Sequence, residues 1–252
     1  MVIDWSFYAA AIPAVVLLGL SKGGFSGLNA LGMPLLSLAI SPVKAAAILL
    51  PILIVQDCVS VWAFRHDWEK RNLLILIPAA SIGVFFGWLL AAHVSEALVR
   101  IAVGLISIGF VAYILVRSWG GEPAPTRASV GPGVFWGALA GFTSFVSHAG
   151  GPPLQVYVMP QRLSPRVFAG TATMAFAAIN LLKVPGYSAL GQFSHENLIT
   201  AASLFPVAIL STFAGVWLVR RVRPDRFYSL VYTLTFLLGL RLVWDGAGEL
   251  IA

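Results

Sequence analysis

Lys22 stands in the stretch "GLSKGGFSGLNALGMPLL", residues 19–36, where a lysine, glycines and a proline interrupt an apolar run. An ammonium followed by Gly23, Gly24, Ser26 and Asn29 is a donor set suited to a small anion. The glycines let the backbone turn tightly and present bare N–H groups, and a half-helix starting near Leu28 points its positive end into the same place. A second interrupted stretch, "GFTSFVSHAGGPP", offers hydroxyls from Thr143, Ser144 and Ser147, the imidazole of His148, and free backbone at Gly150 and Gly151. Asp57 and Asn180 occupy matching positions on the apolar segments that follow the two stretches. One is ionisable and the other is not, which makes them candidates for coupling.

Each residue also has a plainer reading. Glycines beside a helix break can serve only close helix packing, and Gly19 and Gly141 are the positions where this weighs most. Lys22 can neutralise a buried carboxylate, with Asp57 the obvious partner. If instead it faces an anion, Lys22→Met should fold at least as well as the parent, because a costly charge leaves the membrane. Lys183 lies a few residues from an outer loop and is expected to snorkel there. Ser147 and His148 resemble a nucleophile and a base, but adjacent side chains rarely face each other and no acidic partner is near. The single cysteine, Cys58, gives neither a disulfide nor a metal motif.

The elements that must hold these residues are membrane helices. The 252 residues are 59% hydrophobic and only 10% charged, against about 25% in soluble proteins. So few charges could not cover the surface of a soluble domain. Segments 43–64, 73–92, 98–116, 167–187, 198–219 and 227–244 each approach the roughly 20 apolar residues that cross a bilayer core. The two interrupted regions, 7–40 and 134–159, read as pairs of short helices meeting inside the membrane. In the first, halves of about 14 and 13 residues rise only near 20 Å each.

The halves repeat weakly: "ALGMPLL" lines up with "AGGPPLQ" and "SPVKAAA" with "SPRVFAG", and Asn72 falls opposite Asn197. The expected organisation is a first transmembrane repeat over residues 1–117, a cytoplasmic linker over 118–132 and a second repeat over 133–252. Lys and Arg concentrate in "RHDWEKR", the linker, "QRLSPR" and "RRVRPDR", which cytoplasmic loops favour. If each broken region returns to its own side, every basic loop falls inside and the second half is inverted relative to the first. The fold class is therefore an all-α membrane protein of two inverted repeats, each a broken or re-entrant helical hairpin plus three transmembrane helices. The net charge of +6 is spread between apolar segments rather than on one soluble face, so nucleic acid is not an expected partner.

"GLSKGGFSGLNALGMPLLSLAISPVKAAAILLPILIVQD", "WEKRNL", "GFTSFVSHAGGPPLQVYVMPQRLSP" and "NLLKVPGYSALGQFSHENL" resemble the TauE/SafE sulfite-exporter family over nearly the whole chain. The resemblance implies a multi-pass transporter of the bacterial inner (plasma) membrane that exports sulfite or an organosulfonate, and not an enzyme. Many relatives carry a glycine run without the lysine, so Lys22 marks a subgroup. The expected partners are a small anion and membrane lipid; a homodimer is left open, and no cofactor and no metal is expected. No G-x-x-x-x-G-K-[ST] motif is present for direct ATP drive. An inside-negative potential favours anion exit by about 2.3 kcal/mol per charge and 100 mV. The alternatives are an anion channel or a carrier of a small carboxylate. A membrane enzyme using His148 is disfavoured for want of a paired acid or metal cluster.

Overall fold

The long apolar segments are helices, since only a helix satisfies its own backbone polar groups in hydrocarbon without a closed barrel. The computed structural model describes residues 5–22, 32–33, 35–36, 39–91, 93–118 and 124–251. Its helices are α1 (Trp5–Ser21), α2 (Pro42–Ala63), α3 (Lys70–Leu90), α4 (Glu96–Ser118), α5 (Val130–Ser147), α6 (Gly151–Val158), α7 (Pro165–Ala189), α8 (His195–Ser203), α9 (Phe205–Val219) and α10 (Pro224–Ile251). Among the described residues there is no strand. Six of these helices (α2, α3, α4, α5, α7 and α10) are long and apolar enough to cross a membrane, or seven spans if α8 and α9 count as one bent span. The protein is an all-α, multi-pass membrane protein.

Two elements differ from the sequence expectation. The helices entering the interrupted regions are longer than half-spans: α1 has 17 residues and α5 has 18. At 1.5 Å per residue they rise about 26 and 27 Å, close to the thickness of the core. The segment expected as one helix over 198–219 is bent by 49° between α8 and α9. Pro206 explains the bend: it has no N–H to give to the preceding turn, and its ring crowds the carbonyl four residues back. The Ser203 hydroxyl bonds the Thr200 carbonyl and the Leu204 N–H bonds the Ala201 carbonyl, which closes α8 at the break.

The helices pack in matching combinations. α3 lies on α5, and α1 on α9; α2 crosses α7, and α4 runs along α10; α2 also meets α9, and α3 meets α7. Glycine sets the close approaches. A Cβ on Gly83 would sit 1.9 Å from the Ala138 carbonyl oxygen, and one on Gly141 2.2 Å from that of Ala80, locking α3 to α5. On the other pair a Cβ on Gly19 would sit 2.0 Å from the Ser211 Oγ. The packing reading of Gly19 and Gly141 therefore holds. Gly104 and Gly239 face each other, each built Cβ falling 2.7 and 2.9 Å from the other's carbonyl oxygen. The start of α3 and the start of α8 use the same cap three residues before Asn72 and Asn197. Glu69 accepts the Asn72 N–H at 2.6 Å, and Ser194 accepts the Asn197 N–H at 3.2 Å.

The four basic loops gather at one end of the bundle. Asn72 and Gln161 exchange amide hydrogen bonds, Arg220 donates to the Ala63 carbonyl, and Tyr228 donates to the Leu163 carbonyl. The linker joins them through the Thr126 N–H, which donates to the Pro160 carbonyl at 3.0 Å. At the opposite end Lys44 pairs with Glu196, and Arg100 with Glu96 and Glu249. The second interrupted region returns to the end it started from, because Tyr157 near the end of α6 donates to the Ser129 carbonyl just before α5.

Candidate functional site

The break between α5 and α6 follows from its residues. His148 ends α5 in the left-handed region, with φ 54°, and Pro152 and Pro153 lie at the start of α6, where missing N–H groups are tolerated. The Thr143 carbonyl, freed by the break, accepts the Ala149 N–H and the Ser147 hydroxyl. The Thr143 hydroxyl bonds the Leu139 and Ala149 carbonyls. Gly150 is required by space, since a Cβ there would lie 2.6 Å from the Ala140 carbonyl oxygen. Thr143, Ser147 and Gly150 thus build the turn. Gly151 starts α6 and is buried there.

A cavity lies beside this turn, with about 540 Å³ of empty space, part of it open to solvent. Its lining comprises Ser21, Lys22, Leu53, Ser144, His148, Ala169, Ala172, Thr173, Phe176, Asn180 and Lys183. Of the site residues expected from sequence, Lys22, Ser144, His148 and Asn180 line it, and Thr143, Ser147, Gly150 and Gly151 do not. Gly23, Gly24, Ser26 and Asn29 lie outside the described residues. Ser147 and His148 do not act on each other: Ser147 bonds back into its own helix, and His148 Nε2 lies 2.9 Å from the Tyr187 hydroxyl.

Lys22 is paired. Its ammonium donates to Asp57 Oδ1 at 2.5 Å, and the other carboxylate oxygen accepts from Asn180 Nδ2 at 2.6 Å. The Lys22 and Asp57 side chains are only 9% and 5% exposed. The competing reading of Lys22 as the partner of a buried carboxylate is therefore the one the geometry supports. It also reverses the expectation for Lys22→Met, which would leave a carboxylate buried without its cation.

Lys183 corrects a second expectation. It does not snorkel to the outer loop: it is 1% exposed and lines the cavity. Among the described residues its ammonium has no hydrogen-bond partner, and neither has the hydroxyl of Ser144, which is 4% exposed. Thr143 and Ser147, on the same helix, satisfy their hydroxyls on backbone carbonyls, so Ser144 stands out among its neighbours. A sequence signal for Lys183 existed. Ala169, Ala172, Thr173, Phe176, Asn180 and Lys183 recur at the spacing of one helix face, and α7 turns that face to the cavity.

The left-handed conformation of His148 is testable. Replacing it by Ala or by Gly removes the same contact with Tyr187, but only Gly adopts a φ of 54° without steric cost. His148→Gly should therefore be more stable than His148→Ala by about 1 kcal/mol in thermal unfolding. Equal stabilities would mean that the turn relaxes in the variants.

Multiple spans around a buried, charged cavity at a helix break define a membrane transport protein rather than a soluble binding domain or a hydrolase. The chain belongs to the sulfite exporter TauE/SafE family, whose model matches residues 11–242. No curated protein and no solved structure matches it. Members of this family are transporters, so the protein is a transporter and not an enzyme.

Proposed function

We propose that the protein is a secondary carrier, working as an exporter, of a small sulfur-containing anion such as sulfite or an organosulfonate, and that the anion occupies the cavity beside Lys183. The observation that carries this reading is the pair of Lys183 and Ser144. A buried ammonium and a buried hydroxyl line one cavity without partners among the described residues. Such groups are costly in a membrane unless water or a ligand meets them. An anion supplies the missing charge and the missing acceptor together. Sulfonate and sulfite oxygens accept hydrogen bonds from several directions, so few fixed donors suffice.

Two inverted halves, one on each side of a linker, are the framework we assign to this carrier. What supports it is exchange symmetry. The packing of α3 on α5 has its counterpart in α9 on α1, and the Asp57–Asn180 hydrogen bond joins positions that match between the halves. A contact between matching positions belongs on a two-fold axis, as does the reciprocal Gly104–Gly239 contact. The basic loops at one end support a cytoplasmic location for that end, in keeping with the inner membrane of a bacterium. In a Cys58→Ala background, an impermeant thiol reagent applied to intact cells should label Ser194→Cys and spare Ser129→Cys. Labelling of Ser129→Cys from outside would contradict the inverted frame.

Carrier and channel separate in proteoliposomes. Labelled sulfite should show saturable counterflow driven by unlabelled sulfite inside. Unitary currents without counterflow would replace the carrier by an anion channel. Counterflow with acetate but no sulfur anion would replace the substrate by a small carboxylate.

A further inference from the structure

We infer that Asp57 sets the valence of the cargo: by cancelling Lys22 it leaves the cavity one net positive charge, which selects a monoanion over a dianion. The inference rests on the anion site proposed above and goes beyond it, because a positive cavity by itself does not choose a valence.

The charge count is closed by the sequence. Among the described residues, the charged or basic groups at the cavity are Lys22 just after α1, Asp57 from α2, His148 capping α5 and Lys183 from α7. Residues 23–31, "GGFSGLNAL", contribute no charge wherever their side chains point. Of the helices behind the site, α3 has no ionisable side chain from Asn72 to Leu90, and α9 has none from Phe205 to Val219. Arg100 is occupied by Glu96 and Glu249 at the end of the bundle. His148 is counted as neutral, its Nε2 sharing a hydrogen bond with the Tyr187 hydroxyl. Lys22 and Asp57 sum to zero, and a protonated Lys183 adds one positive charge.

In a medium of low dielectric the cost of a site grows with the square of its net charge, so the sign of the residue matters less than its size. With Lys183 protonated, the empty site carries one positive charge. A monoanion brings it to zero. A dianion brings it to one negative charge, as far from neutrality as the empty site. The same geometry therefore rewards the first ligand and not the second, although a tetrahedral dianion offers as many oxygens. Asn180 matters here as well. It donates to Asp57 Oδ2 while adding no charge of its own.

Methanesulfonate and sulfate are similar in size and shape and differ in charge, so they isolate valence. Their binding to purified full-length protein in lipid nanodiscs is measured by calorimetry at pH 7. The wild type should bind methanesulfonate roughly tenfold or more tighter than sulfate. Asp57→Asn raises the cavity to two positive charges and should reverse the order. The double variant Lys22→Met/Asp57→Asn keeps one positive charge and should keep the wild-type order; it serves should Asp57→Asn not fold. Sulfate binding as tightly as methanesulfonate in the wild type overturns the valence inference and leaves the anion site standing. A reversed order in the double variant does the same. Binding of neither probe by the wild type overturns both.

Discussion

Lys22→Met will be markedly less stable than the parent protein. Removing one member of a buried ion pair leaves the other charge uncompensated, which costs about 3–5 kcal/mol where it has been measured. Both side chains here are nearly enclosed, and among the described residues Asp57 keeps only its bond from Asn180 after the change. For a protein of this size the loss corresponds to a fall in Tm on the order of 10 °C. The double variant Lys22→Met/Asp57→Asn should recover most of it, since two neutral side chains replace the pair. Thermal unfolding of the parent, both single variants and the double variant gives the coupling directly. A Lys22→Met protein as stable as the parent would show that the pair contributes nothing to the fold, and would return Lys22 to the role of a free cation.

How far these features could be read from the sequence varies with the residue. The break after α5 was legible, because His148, two glycines and two prolines in succession leave no way to continue a helix. The Asp57–Asn180 match was legible from alignment of the halves, but its meaning was not: alignment shows equivalence, and only packing shows that the two residues touch. The expected choice for Lys22 between anion and carboxylate turned on whether α1 and α2 bring their side chains together, a tertiary fact that composition does not carry. For Lys183, distance from the nearest loop is a poor measure of depth. Helix α7 continues past Pro185 to Ala189, and the side chain direction, not the distance along the axis, decides which solvent it meets. The bend at Leu204 does not show in hydropathy, which averages over a residue such as Pro206. Glycine, by contrast, gave a correct packing reading at Gly19 and Gly141, where backbones touch.

Lys183→Met should leave the fold intact and remove anion binding. The change keeps a long apolar stem and deletes a buried charge that has no partner among the described residues, so stability without ligand should stay the same or rise. Loss of a charge-assisted contact should cost about 1.5–3 kcal/mol of binding, or roughly 10- to 150-fold in Kd. Ser144→Ala should weaken binding less, by about 1 kcal/mol, because a neutral donor is lost. Both effects differ in kind from those of Lys22→Met, where the fold suffers first.

The most direct test is anion-dependent thermal stabilisation of purified wild type and Lys183→Met, titrated with methanesulfonate at fixed ionic strength. A specific ligand raises Tm in proportion to the logarithm of its concentration over Kd. The wild type should show that rise and Lys183→Met should show little or none over the same range. Equal rises in the two proteins would mean that the anion is held elsewhere and that the cavity beside Lys183 is not the substrate site.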